Sequence, residues 1–253
     1  MISVPYHLGR REVEVGRGPS RILATLDRKC HIVERANSLD GELDAVADVN
    51  LQLARAIRRH AGAPLILADN CNCCLGTLAG ISEKNPTILW FDAHGDFNTP
   101  ETTVSGALEG MSLAIATGAC HAGLRERIGL TPIPESRVFL ISTRSLDPEE
   151  RRRLDRSEVR RADVSTLPQT LAGPVYLHLD LDVLDPDLSP GVNFSEPGGI
   201  SPDVLYDAVR LIASRVPIAA AAIANFNPDR DRENRTLRIA LRLVDILGDA
   251  SVQ

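Results

Sequence analysis

Aromatic residues are scarce in this sequence, at 4% of its 253 residues, with a single Trp and two Met. Lysine is nearly missing: of 28 basic residues only Lys29 and Lys84 are lysines. No apolar run approaches the roughly 20 residues a membrane span requires, the stretch 216–223 being among the longest. No basic segment followed by an apolar one opens the chain, so no export signal is read and a cytoplasmic location is expected. Excess positive charge is missing too. A net charge of −6 removes the electrostatic basis for nucleic-acid or anionic-membrane binding. With 43% apolar and 25% charged residues, the composition excludes disordered and fibrous classes.

Cysteines number five, an odd count in a chain long enough to bury a core, so a disulfide framework is not expected. Three of them fall in Cys71-Asn-Cys-Cys74 with no second CxxC pair, which argues against a zinc ribbon. Taken alone, the cluster reads as small buried residues at a helix start.

What is present is alternation. Short apolar runs at 2–6, 30–35, 64–68, 87–91, 138–142, 175–179 and 217–224, with a weaker one at 159–164, read as strands. Helical stretches are expected at 19–28, 43–60, 75–83, 110–118, 148–156, 202–215 and 236–247. In the second of these, apolar residues at 43, 46, 49, 53, 54 and 57 form one stripe. Short continuous runs between helices predict a single three-layer α/β/α domain over 1–253, with an eight-stranded, mostly parallel sheet. No internal repeat or low-complexity linker interrupts it. The long irregular stretches are 92–106, 119–137 and 182–201, and ligands in such folds bind beyond the carboxyl ends of strands.

Two acidic clusters lie at strand ends. In Trp90-Phe-Asp-Ala-His-Gly-Asp96, the residues Asp92, His94 and Asp96 alternate and form a hard-metal ligand set. In a straight strand Asp92 and Asp96 would lie roughly 13 Å apart, so the loop must curl, with Gly95 helping. In His178-Leu-Asp-Leu-Asp-Val-Leu-Asp-Pro186, Asp180 and Asp182 alternate in the same way. A lone cluster of either kind reads equally as a polar loop. Two of them at strand ends favour a shared dinuclear metal site, because buried carboxylates without a cation are costly. Asp185-Pro186 reads as a turn. His178 reads as a packed residue or a support behind the ligands rather than a ligand. His7, His31, His60 and His121 carry no metal spacing.

The motifs DAHGD (92–96) and HLDLDVLDP (178–186), in this alternating frame, resemble the arginase/agmatinase (ureohydrolase) family across nearly the whole chain. The resemblance implies an eight-stranded parallel sheet, two Mn2+ ions, and hydrolysis of guanidino compounds to urea and an amine. It implies Asp92 and Asp180 as bridging ligands, Asp96 as a ligand of one ion, and His94 and Asp182 as ligands of the other. A bridging water would be the nucleophile, acidified by both ions, which would also stabilise charge in the tetrahedral intermediate.

Three departures modify this picture. Ala68-Asp-Asn-Cys71 aligns where the family usually has Gly-Gly-Asp-His, so Cys71 takes a histidine's place and is expected to ligate as thiolate, with packing as the alternative. That thiolate favours a somewhat softer metal, but the resemblance keeps Mn2+ first, with Zn2+, Co2+ and Fe2+ behind it. Glu109 occupies the position of the histidine proton shuttle. It is a candidate catalytic residue that transfers protons, anchors a cationic substrate, or faces solvent. Asn225 in Asn225-Phe-Asn-Pro228 replaces a glutamate that binds guanidinium, and an amide cannot form that charge-assisted pair. N-Hydroxyguanidine, formimino or amide-like substrates then fit better than plain arginine. Residues 95–103 are similar to the branch that hydrolyses Nω-hydroxyarginine, and Asn98 is expected to face substrate, with a local turn as its alternative. The partner expected is a small guanidino-like molecule, and a homo-oligomer is compatible with the resemblance. The other readings are an amide or formimino hydrolase on the same metal site, and a non-catalytic metal-binding regulator.

Overall fold

The computed structural model describes residues 1–36, 41–166, 171 and 173–250, so the expected domain limits of 1–253 extend over stretches outside the described residues. Strand β1 (Ile2–Ser3) leads into a separate antiparallel hairpin, β2 (Tyr6–His7) and β3 (Arg10–Arg11). The expected first strand over 2–6 therefore stops early. Leu8 and Gly9, with φ of 49° and 80°, make the hairpin turn, and a Cβ on Gly9 would sit 2.2 Å from that of Ala45.

The main sheet continues with β4 (His31–Ile32), β5 (Leu65–Leu67), β6 (Thr87–Phe91) and β7 (Val138–Ile141). It is completed by β8 (Arg160–Ala162), β9 (Val175–Asp180) and β10 (Ile218–Ala224). Eight strands run in the order β4-β1-β5-β10-β9-β6-β7-β8, and every neighbouring pair is parallel. The expected sheet is present, parallel throughout rather than mostly.

Burial on both faces explains why these strands read as continuous apolar runs. Ile66, Ile88, Trp90 and Tyr176 pack on one side beneath α2 (Glu42–Arg58), α3 (Cys73–Gly80), α4 (Ser112–Thr117) and α5 (Ala122–Ile128). Leu67, Leu89, Phe91, Leu177 and Ile223 pack on the other beneath α1 (Gly18–Leu23), α7 (Pro202–Arg215) and α8 (Arg235–Ala250). Helix α6 (Pro148–Leu154) adds Leu154 to the first side. This is the expected three-layer α/β/α arrangement.

Two local expectations differ. Helix α5 lies within the stretch 119–137 expected to be irregular. It offers only Leu124 and Ile128 to the core, and left-handed residues end it on both sides: His121 (φ 46°) and Gly129 (φ 73°). Such a short pair gives no periodic signal. In α2, Val46, Val49, Leu53, Ala54 and Ile57 are buried as expected, but Leu43, in the first turn, is 45% exposed.

Strands β5, β10, β9 and β6 are adjacent in the middle of the sheet, so their carboxyl ends open side by side. Phe91 pairs with Leu179 and Ala224 with Asp180, which sets Asp92 level with Asp180. The loop after β9 is fastened back by Arg144. Its guanidinium donates to the carbonyls of Ser142, Asp182, Val183, Leu184, Glu196 and Pro197 at 2.8–3.4 Å. A planar fork with five donors can hold so many acceptors, and an ammonium cannot. Arg144→Lys should therefore lower stability by about 1.5–3 kcal/mol, read as an earlier urea midpoint with unchanged m-value. An unchanged midpoint would show that the clamp is idle.

Candidate metal centre

Two donor groups meet above the central strands. The inner one gathers Cys71, Asp92, Asp180 and His178, whose ligand atoms all lie within 4.8 Å of one another. Cys71 Sγ is 3.1 Å from Asp180 Oδ2, 3.6 Å from Asp92 Oδ2 and 3.4 Å from His178 Nε2. In the outer group, His94 Nδ1 lies 3.4 Å from Asp92 Oδ1 and 3.1 Å from Asp182 Oδ2. Asp92 belongs to both groups, one oxygen facing each.

Backbone and indole donors fix the carboxylates. Trp90 Nε1 donates to Asp92 Oδ2 at 3.0 Å, and the amide of His94 donates to Asp92 Oδ1 at 2.7 Å. The amide of Ala93 reaches Asp182 Oδ1 at 3.0 Å, and that of Asp182 reaches Asp180 Oδ1 at 2.8 Å. Asp96 is buried nearby with Oδ2 left without a hydrogen-bond partner. The loop does curl, but not through Gly95: Asp96 itself takes the left-handed conformation, φ 47°. Gly95 supplies space instead, since a Cβ there would meet Leu146 at 2.6 Å and Glu150 Oε1 at 2.7 Å.

Burial dominates the electrostatics. Burial first, then Asp182, pushes the Asp92 carboxyl up to about 7. Burial and neighbouring carboxylates raise Asp96 and Asp180 well above the usual range. Burial, followed by Asp96, Asp180 and Asp92, also drives the Cys71 thiol well up. For His94, burial acts downward, but Asp182 and Asp92 outweigh it and push the imidazole up to about 12. Held this way, the site binds protons where it would otherwise hold cations. Several converging buried oxygens, one of them orphaned, together with imidazole and sulfur, fit divalent metal ions.

The donors open into a cavity of about 280 Å³ that is also lined by Asn98, Glu109, Asp147, Glu150 and Asn225. No Lys or Arg is among the described residues lining it. Val104, 79% exposed, and Phe194, 49% exposed, stand at its mouth. Glu109 begins the turn before α4, and burial, then Glu42, pushes its carboxyl up to about 7. Asn98 donates to Asp147 Oδ2 at 3.1 Å and accepts from the Thr102 hydroxyl at 2.9 Å. Asn225, left-handed with φ 66°, gives its amide nitrogen to Asp180 Oδ1 at 3.1 Å and Asp182 Oδ2 at 3.2 Å. Every residue expected at the site thus lines one cavity.

Asp147 and Glu150 also line the cavity, and no metal or substrate motif in the sequence marks them. They form the capping box of α6, and Glu150 Oε1 also accepts from the amide of Phe97 at 2.9 Å. Asp147-Pro-Glu-Glu150 is a visible helix-start signal, but nothing in it reveals that the helix start borders the cavity.

The sequence model of the arginase family matches residues 2–247. The arginase of Bacillus caldovelox is 32% identical, covering 98% of this chain and 96% of that protein. The arginase of Bacillus subtilis (strain 168) is 31% identical with the same coverage. A crystal structure of arginase from Bacillus subtilis superposes with a TM-score of 0.83 at 30% identity, covering 98% of both chains. The chain belongs to the arginase family, the metal-dependent hydrolases of amidino C–N bonds.

Proposed function

We propose that the chain, as one domain over 1–253, hydrolyses a guanidino or N-hydroxyguanidino small molecule and releases urea or a substituted urea. The observation that carries this reading is the pair of donor groups sharing Asp92 at the floor of a cavity lined by carboxylates and amides. With no lining Lys or Arg, the cavity suits a cationic or neutral nitrogen-rich group better than an anion. Cys71, Asp92, His94, Asp96, Asp180 and Asp182 would hold two divalent ions, manganese first by family resemblance. When bound, such ions supply an acidified water as nucleophile and offset negative charge developing on the substrate.

The chain's own groups do the rest. Asn225 spends its nitrogen on Asp180 and Asp182, which leaves Oδ1, with only the amide of Asn193 at 3.5 Å, to accept a substrate N–H. A neutral acceptor gives up the charge-assisted pair with guanidinium, which favours the less basic N-hydroxyguanidine. Asn98, fixed by Asp147 and Thr102, presents a polar wall to the rest of the substrate. Glu109, half-protonated near neutrality, delivers a proton to the departing amine. Placement in the cytoplasm belongs to the same reading, supported by five cysteines that are all free.

Urea and hydroxyurea release should be measured over arginine, agmatine, guanidinobutyrate and N-hydroxyarginine. Higher kcat/KM is expected for N-hydroxyarginine than for arginine. A protein that binds two ions and hydrolyses none of the four would overturn the proposal.

Glu109→Gln should lower kcat by about 10²–10⁴-fold with both ions retained. An acid catalyst must carry its proton, so wild-type kcat should fall as pH rises past about 7, and the variant should lose that limb. A variant with the wild-type pH profile would remove Glu109 from the chemistry.

A further inference from the structure

His178 lies two residues before Asp180 on β9 and on the same face, in register with Trp90 of β6 and Ala222 of β10. Its ring is fully buried and stacks on Trp90 with centroids 3.7 Å apart and planes 7° from parallel. Nδ1 is 2.9 Å from the Tyr176 hydroxyl, and Nε2 is 3.4 Å from Cys71 Sγ. The imidazole is therefore held on one nitrogen and in its plane, with the other nitrogen aimed at the inner donor group. In the tautomer that gives its Nδ1–H to the Tyr176 hydroxyl, a bare Nε2 turns towards the Cys71 sulfur, which is the arrangement of a metal-binding histidine.

The distances agree with that role. Around a four-coordinate ion with a metal–sulfur bond near 2.3 Å and metal–nitrogen or –oxygen bonds near 2.0 Å, neighbouring donors lie roughly 3.3–3.6 Å apart. The sulfur stands 3.4 Å from Nε2 of His178 and 3.6 Å from Asp92 Oδ2, within that range, and 3.1 Å from Asp180 Oδ2, slightly below it. Where the family resemblance expects a histidine at position 71, this chain has a shorter thiol. His178 approaches from β9, with β10 between it and the β5 end that leads to Cys71, and brings an imidazole nitrogen within 3.4 Å of the sulfur.

We propose that His178 ligates the inner ion through Nε2, completing a Cys71–His178–Asp92–Asp180 set that selects zinc or cobalt over manganese at that position. The proposal rests on the reading that Cys71 belongs to the metal centre. Thiolate sulfur is a donor that a borderline-soft ion exploits better than manganese does, and the inner set carries it, while the outer set of Asp92, His94 and Asp182 has none. The two positions of one centre then differ in metal preference.

The test is cadmium NMR on the full-length protein carrying nitrogen-15-labelled histidine and loaded with isotopically enriched Cd2+. A cadmium resonance coupled both to the Cys71 β-protons and to His178 Nε2 is expected. Cadmium coupled to Cys71 but not to His178 overturns the proposal and leaves the Cys71 assignment standing. Bound cadmium without coupling to Cys71 overturns both. His178→Asn, with folding checked by circular dichroism, supplies a second readout by zinc competition. Loss of a ligand should weaken inner-site zinc by more than the about 10–100-fold typical of an outer hydrogen-bond partner, with the outer ion retained. A loss within that range, or none, contradicts ligation.

Discussion

Four aspartates, Asp92, Asp96, Asp180 and Asp182, are buried together at the mouth of the sheet, each at most 6% exposed. Removing a carboxylate from water costs several kcal/mol unless charge or hydrogen bonds return the difference. The cationic side chain beside them is His94, which pairs with Asp92 and Asp182. Backbone amides and the Trp90 indole satisfy some of the oxygens, but Asp96 Oδ2 has no partner. Such an arrangement is stable in one of two ways: by keeping protons, or by exchanging them for cations. The remainder of the structure holds these carboxylates close together.

That geometry starts with strand order. Placing β10 between β5 and β9, and β6 beyond β9, sets four carboxyl ends side by side, and the parallel register levels Asp92 with Asp180. The loops leaving those ends are then anchored from outside. Arg144 gathers five carbonyls from the stretches around Asp182 and Glu196, besides that of Ser142, and Glu150 accepts from the amide of Phe97 just after Asp96. Rigid support of this kind is what keeps like charges close when a cation is exchanged for protons.

Much of this was legible in the sequence because it depends on local pattern. Apolar runs bounded by helices give the parallel sheet, and an aspartate directly after such a run must emerge at a strand end. DAHGD and HLDLDVLDP therefore come to lie next to each other at the carboxyl edge of the sheet. Contacts set by tertiary packing were not legible. Arg144 is one basic residue among many, and only the folded loops show that its fork meets six carbonyls. Asp147 and Glu150 cap α6, and the cavity wall they also form depends on where that helix docks. Asn225 is expected to face substrate, and only the folded chain shows that its nitrogen also reaches Asp180 and Asp182. His178 read as a packed or supporting residue because its spacing from Cys71 in the chain says nothing of their proximity in space.

The central claim is that cations replace protons on the buried carboxylates, and linkage gives it a sign. Asp92, Asp96 and Asp180 bind protons more tightly in the folded chain than in the unfolded one, where carboxyls titrate near about 4. Their contribution to metal-free stability is full below that value and is lost as pH rises through the folded values, about 7 for Asp92. His94, pushed up to about 12, adds loss of the same sign above about 6.5. His178, which burial holds down to about 3, has the opposite slope, but only below about 6.5. The decisive measurement is the melting temperature with and without saturating Mn2+ at pH 6.5 and pH 8.0. The metal-free protein should melt lower at pH 8.0, and the gain from Mn2+ should be larger there. A gain that is equal at the two pH values, or larger at pH 6.5, would contradict the exchange of protons for cations.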